Sequence, residues 1–242
     1  MPDKQRRRLE EAIASIRRAY GENALRLLED ANRQSSVAHL STGFALLDRR
    51  LNIGGLPKGH LTHVSGMPTS GAMTLAFKVL AQAVGEAVIY VDLPQTFDVD
   101  YAVRCGVDET ALALIEPESL HQAFETLVGL IDTAAAVILV PHPQQEKEEE
   151  KEKIDSADVH RLMTALHRSQ CVLILVERIG TDLLASHAAV QLHLKRERWL
   201  RRRRDVTGYR TKVHIIQNKF GPAGVKVRLT IGFSTVVRGD GL

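Results

Sequence analysis

Gly66 and Gly71 bracket the run Met67-Pro68-Thr69-Ser70, and Thr74 follows three residues later. An apolar stretch precedes this segment and a helical pattern follows it. That is the frame of a phosphate-binding loop, in which backbone N–H groups at a helix N-terminus cradle an anion. A working loop adds a lysine after the second glycine to neutralise the β- and γ-phosphates, and beside it a hydroxyl to hold Mg²⁺. Ala72 and Met73 stand in those two places. Thr74 is one position late, and one residue turns a helical side chain by about 100°, so it is a poor replacement ligand. The frame reads either as a loop kept for packing and turning or as one that still attracts an anion through its N–H groups.

A second group of residues carries charge. Lys195, Arg196, Arg198, Arg201, Arg202, Arg203 and Arg204 surround Trp199, and Arg210, Lys212 and His214 follow. Guanidinium and ammonium groups at this density suit phosphate contacts, with Trp199 available to stack on a base. They suit an acidic protein surface equally, and a solvated hairpin tip is the plainest alternative. The run 146–153 has the opposite character, with Glu146, Glu148, Glu149, Glu150 and Glu152 set against Lys147, Lys151 and Lys153. Such a segment repels a phosphate backbone and reads as a solvated loop or exposed helix start. His142, His160 and His167 show no metal-ligand spacing with carboxylates, and Cys105 and Cys171 have no CxxC or histidine partner. No metal site and no disulfide scaffold are expected.

Elements must position these groups. The chain has 242 residues, 44% of them hydrophobic and 25% charged, enough for one sizeable globular domain or two small ones. Its longest apolar runs, 134–140 and 171–176, fall short of the roughly 20 residues that span a bilayer. Residues 1–8 are charged rather than signal-like, and the expected location is cytoplasmic. Net charge is only +3, so an anionic partner must be argued from where the charge sits. Leu9, Ile13, Ile16 and Tyr20 recur at helical spacing, which predicts an amphipathic helical arm over 1–36, closed by a polar linker. Its apolar face needs its own core or a neighbouring molecule. From residue 37 onward, short apolar strands at 60–64, 87–92, 136–140 and 171–176 alternate with helical patterns at 72–84, 120–133 and 156–169. This predicts an α/β fold with a mainly parallel sheet and helices on both faces. Strand-like runs at 189–194, 212–217 and 225–231 predict an antiparallel extension.

With the loop in place, a family resemblance emerges. Ser41-Thr42-Gly43, Leu47-Asp48 and Gly54-Gly55-Leu56-Pro57-Lys58-Gly59 resemble the opening of the RecA recombinase core. Tyr101-Ala102, Cys105-Gly106-Val107-Asp108 and Gln217-Asn218-Lys219 fall where that family carries similar strings, and Tyr20-Gly21 and Leu25-Arg26-Leu27 resemble its N-terminal oligomerisation arm. The resemblance implies a RecA-like P-loop core over 37–242 behind the arm, ending before the family's C-terminal domain. It implies a nucleotide site at Gly66, Thr69, Ser70, Gly71 and Thr74, with Asp98 and Tyr101 toward adenine and Lys219 reaching phosphate across a subunit interface. Departures matter as much. Pro94 replaces the glutamate that activates water, Pro141 replaces the Mg²⁺-directing aspartate, and Glu177-Arg178 replaces the polar sensor pair. With Ala72 and Met73 this makes ATP hydrolysis an unexpected activity, although weak ATP binding stays open. The bland reading of Asp98 and Tyr101 is a helix cap and a packed ring.

Among RecA relatives the segment 188–199 is most similar to the ImuA class of bacterial mutagenesis accessory proteins, which act with an ImuB-type polymerase homologue. The resemblance also places Lys195, Arg196, Lys212 and His214 near the family's secondary DNA site, while the second DNA loop is reduced to Gly180-Thr181-Asp182. The expected role is therefore a non-catalytic accessory of DNA repair and SOS mutagenesis, with a RecA recombinase filament, the polymerase homologue or DNA as partner and self-association open to the arm. Two alternatives remain: a DNA-dependent ATPase binding single-stranded DNA, and a plain DNA-binding module using residues 195–212.

Overall fold

The computed structural model describes residues 37–142, 155–178 and 184–233, together with Ser15. The arm residues Leu9, Ile13, Ile16 and Tyr20, the acidic run 146–153 and Gly180-Thr181-Asp182 lie outside the described residues. The chain divides into two compact units, Met1–Val37 and Ala38–Leu242, and the strands and helices named below all belong to the second.

The strands are β1 His39–Leu40, β2 Leu56–Pro57, β3 His60–Gly66, β4 Val88–Asp92, β5 Leu112–Ile115, β6 Ala136–Val140, β7 Val172–Glu177, β8 Val190–Arg202, β9 Asp205–Asn218 and β10 Lys226–Gly232. The α-helices are α1 Ala45–Leu51, α2 Ala72–Leu80, α3 Val99–Cys105, α4 Leu120–Leu130 and α5 Ser156–Arg168. Eight strands form one sheet in the order β10-β9-β8-β3-β7-β6-β4-β5. Pairing is parallel from β8 through β5 and antiparallel for β8 with β9 and β9 with β10. The parallel sheet with an antiparallel extension is the architecture that the apolar rhythm predicts.

Strands β4 and β7 are buried along their whole length, as expected for a parallel sheet covered on both faces. Side-chain alternation divides them between two cores. Val64, Tyr90, Ile138, Ile174 and Leu192 pack with Leu75, Phe77, Val79 and Leu80 of α2 on one face. Leu61, Val91, Leu139 and Leu173 pack with Phe124 and Leu127 of α4 and Leu162 and Leu166 of α5 on the other. Helix starts are capped by side chains that accept from the first turn: Asp98 from the N–H of Tyr101, Ser119 from Gln122 and Asp155 from Ala157.

Three boundaries differ from expectation. Helix α2 ends at Leu80 rather than 84, because the chain turns at Gly85 (φ 74°) and leaves Val84 87% exposed with nothing to pack against. Strand β8 runs to Arg202 instead of 194, and β9 starts at Asp205 instead of 212. Their outer halves pass beyond β3, whose last partner on β8 is Leu194, and form a hairpin bordered by β10. The short elements α1 and β5 add to the predicted set.

Candidate functional site

The loop 66–71 leaves β3 at its C-terminal end, the edge where parallel α/β sheets place their ligand sites. Its glycines have a packing explanation. A Cβ on Gly66 would collide with Ser70 Oγ and stand 2.9 Å from the Leu194 carbonyl oxygen. A Cβ on Gly71, whose φ is 96°, would lie 2.9 Å from Ile231 Cδ1 and 3.1 Å from the Tyr209 hydroxyl. The hairpin thus requires the glycine frame with or without a phosphate. It also bonds the loop directly. Thr211 Oγ1 donates to the Ser70 carbonyl at 2.6 Å, and the Arg196 guanidinium donates to the hydroxyl of Thr69, a residue held at φ 64°. Ser70 Oγ is buried without a hydrogen-bond partner among the described residues.

Above the loop lies a pocket of about 710 Å³. The loop and the first turn of α2 form its floor, and its walls come from the segments after β4, β6 and β7. Trp199, Tyr209 and Phe233 contribute from the extension. Asp92, fully buried, shapes the β4 side: its Oδ2 accepts from the N–H groups of Thr96 and Phe97, each at 2.7 Å, which fixes the turn bearing Pro94. Thr74 faces inward, its hydroxyl hydrogen-bonded to those of Tyr101 at 2.6 Å and Tyr209 at 3.0 Å. Burial raises both phenols, Tyr101 well above its usual range, so they stay protonated and the triad is an uncharged network.

The residues present do not fit a magnesium nucleoside triphosphate. Ala72, Met73, Pro94 and Pro141 stand where its cation, metal ligands and water-activating base belong. The carboxylate in the lining, Glu177, bonds His63 Nε2 of the neighbouring strand at 2.8 Å. Asp98 is occupied as the cap of α3, and Tyr101 carries the Arg104 guanidinium 5.6 Å from its ring centroid. Lys219 does not join the group within one chain. It follows β9 at the end paired with the start of β8, and its N–H donates to Ala189, at the sheet edge away from the loop. Among the described residues no three His, Cys, Asp or Glu side chains are arranged to hold a metal ion.

The basic segment folds into β8 and β9, and cross-strand register sorts its charges. His193 pairs with His214, Lys195 with Lys212 and Arg198 with Arg210, while Lys226 and Arg228 of β10 stand opposite His214 and Lys212. These residues share one face, on which Lys195, Arg198, Lys226 and Arg228 are exposed. Like charges directly opposite one another destabilise a sheet. Among the described residues Glu197 offsets them, lying 2.9 Å from Lys212 Nζ and 3.2 Å from Arg228 Nε. Its hydrogen bond from Lys212, with the cations around it, holds it below the usual carboxylate range. His193 is shifted down by burial, then by His214 and Lys195, and its Nδ1 lies 3.2 Å from Ser65 Oγ.

The structure separates some residues that the sequence groups together. A bulge at Glu197 places Arg196 opposite Thr211 and Arg198 opposite Arg210, so these two arginines face opposite sides of the sheet. Arg196 turns to the pocket and stacks on Trp199, 4.1 Å from the ring centroid. The indole meets Tyr209 edge-on and Phe233 at a tilt, so Trp199 belongs to the pocket rather than to the basic face. Arg201 and Arg202 end β8, and Arg203 (φ 57°) and Arg204 make the two-residue turn at the tip. Sequence reasoning passed over Asp92, Glu197, Lys226, Arg228 and the His63–Glu177 pair. Pairing across strands gives Glu197, Lys226, Arg228 and the His63–Glu177 pair their roles, and the turn after β4 gives Asp92 its own.

Comparison with known proteins matches residues 7–238 to the RecA N-terminal domain family. The chain is 29% identical to Protein RecA of Bdellovibrio bacteriovorus, covering 96% of this chain and 70% of that protein. It is 31% identical to Protein RecA of Chloroherpeton thalassium, covering 91% and 70%. Its fold is similar to the crystal structure of the RadB recombinase, with a TM-score of 0.64 at 21% identity over 79% of this chain and 96% of the other. Among the described residues no helix is long and apolar enough to cross a membrane.

Proposed function

We propose, from the premise that the chain belongs to the RecA N-terminal domain family, that it is a non-catalytic binding member of that family. It keeps the core and lays a polyanion, DNA in the first instance, across the exposed face of β8, β9 and β10. The observation that carries this reading is the cross-strand pairing of Lys195 with Lys212 and Arg198 with Arg210. A surface under selection for stability alone would not oppose cations in this way, whereas a phosphate backbone turns the repulsion into attraction. The apolar and proline residues at the catalytic positions support a role without ATP turnover. The resemblance of 188–199 to the ImuA class supports a narrower role, as an accessory in DNA repair and SOS mutagenesis that works with a RecA filament or an ImuB-type polymerase homologue.

Two measurements on the full chain test this. A fluorescein-labelled oligothymidylate should bind with an affinity that falls steeply with salt, and Lys195→Gln with Arg198→Gln should each make the slope shallower by about 0.7. Saturating MgATP should leave the thermal midpoint unmoved, since a ligand at a hundred times its Kd would add about 2.7 kcal/mol. Salt-independent DNA binding, or a nucleotide-dependent rise in midpoint with phosphate release, would overturn the reading and favour a DNA-dependent ATPase.

A further inference from the structure

The pocket over the loop is as apolar as the sheet face behind it is charged. Met73, Pro94, Pro141 and Trp199 line it, and at its mouth Met67 is 55%, Phe233 47% and Trp199 40% exposed. Isolated exposed apolar side chains are ordinary, but three large ones around a concave opening mark a recognition site. Its volume of about 710 Å³ is ample for one or two bulky side chains. A triphosphate would meet Ala72 and Met73 in place of the lysine and the Mg²⁺ ligand that its charge needs, and a nucleobase would lose water from polar edges that proline and methionine cannot satisfy. The polar group best placed at the mouth is Arg196, which spends one N–H on Thr69 and holds its plane over Trp199. A guanidinium has five such donors in a fork that matches a carboxylate.

We infer that this pocket is a docking site for an acidic segment of a partner protein, which seats a bulky apolar side chain between Met73, Pro94, Pro141 and Trp199 and sets a carboxylate against Arg196. Charge complementarity selects the partner. Arg178 lines the pocket, and Arg196 stands beside it, bonded to the lining residue Thr69 and stacked on the lining residue Trp199. The site is on the other side of the sheet from the basic face, and it stands whether or not that face carries DNA.

Trp199 is the chain's single tryptophan, so its emission reports on the pocket directly. The probe is a short acetylated peptide of alternating Asp and Glu with Leu and Phe at its centre and no tryptophan, titrated into the full-length protein. The expected result is a saturable blue shift of Trp199 emission. A matched peptide with Ala for Leu and Phe should bind at least tenfold more weakly, as loss of an anchor side chain demands. Arg196→Gln should weaken the parent peptide about fivefold or more, as loss of a charge-assisted contact would. Pro94→Glu, which places a carboxylate in the wall, should weaken it in the same way, and far-ultraviolet circular dichroism should show both variants folded. A peptide that leaves Trp199 emission unchanged would overturn the proposal, as would equal binding of the alanine peptide. Competition by MgATP, or by oligothymidylate, would do the same. The peptide comparison needs no variant, and a protein that fails to bind DNA yet binds the peptide would sink the polyanion reading alone.

Discussion

The basic face makes a prediction whose sign is unusual: removing an ion pair should improve binding. Glu197 holds Lys212 Nζ at 2.9 Å and Arg228 Nε at 3.2 Å, so in the free protein it shields two of the cations a polyanion would use. A phosphate accepting from either cation would approach to about 3 Å, which puts its charge about 6 Å from the carboxylate. At that distance two like charges in water repel by a little over RT. Salt at 0.1 M, with a Debye length of about 10 Å, cuts this by nearly half. Each phosphate then gains about twofold when the charge is removed, and one on each cation gives about fourfold in all. Glu197→Gln should therefore bind labelled oligothymidylate about fourfold more tightly at 0.1 M salt, with a salt dependence steeper by up to about 1.4, or 0.7 for each released cation. Fluorescence anisotropy across a salt series reads both quantities. Binding no tighter than that of the unmodified protein would refute the reasoning, because Glu197 would then not compete with the ligand for Lys212 and Arg228. Lys195→Gln supplies the reverse sign: weaker binding, with a melting temperature unchanged or higher because a like-charge pair is gone.

Other consequences follow from the same geometry. Gly66→Ala should cost about 1–3 kcal/mol in urea unfolding with no nucleotide present, because the added methyl collides with Ser70 and crowds the Leu194 carbonyl; an unchanged midpoint would show that the loop is not held by the hairpin. His193, whose folded pKa lies below 6.5, contributes stability that is present above pH 6.5 and lost as pH falls through the folded value, so His193→Gln should flatten the acid side of the stability profile. His121 behaves oppositely. Its bond to Asp158 raises its pKa, so its contribution is present below pH 6.5 and lost as pH rises through the raised value, and His121→Gln should destabilise at pH 6 but not at pH 9. Burial pushes the thiols of Cys105 and Cys171 up to about 11 and about 12, so Ellman's reagent at pH 8 should label them only on unfolding; rapid labelling of the native protein would contradict their buried placement.

The parallel half of the fold is readable because burial on both faces leaves its strands as unbroken apolar runs: 88–92, 136–140 and 172–177 contain almost nothing else. The extension is harder to read. Its apolar alternation stops at Leu194, where β3 ends, and the next eight residues of β8 are held by β9 with β10 at its border, so packing leaves little mark on their composition. The turn adds no clue, since Arg203 and Arg204 occupy positions where glycine or asparagine would announce a hairpin. Strand β5 is an edge strand with Ala113 and Leu114 exposed, and so lacks a buried pattern to find. At the site, counting from the loop locates Ala72, Met73, Pro94 and Pro141, and the structure brings all four into the lining of one pocket. Spacing alone would set Arg196 and Arg198 on the same face, and only the bulge at Glu197 reveals that they serve different surfaces.

That bulge also lets one hairpin present different side chains to the loop and to its outer face. On its inner side, Thr211, Tyr209 and Arg196 bond or pack against Ser70, Gly71 and Thr69, so the loop's shape is enforced by strands rather than by a phosphate. With its shape secured in that way, the loop accommodates Ala72, Met73, Pro94 and Pro141, which give the space they line an apolar wall. On its outer side, the same strands display opposed lysines and arginines that no inner contact requires. If the two faces bind the two partners proposed above, substitutions should sort by face. Changes at Lys195, Arg198 or Lys212 should alter polyanion binding and leave the emission of Trp199 alone, while Arg196→Gln should change the pocket and leave the salt slope for DNA within about 0.3 of the parent value. Loss of both properties from any one of these positions would mean that the faces are coupled and that the division drawn by the bulge is wrong.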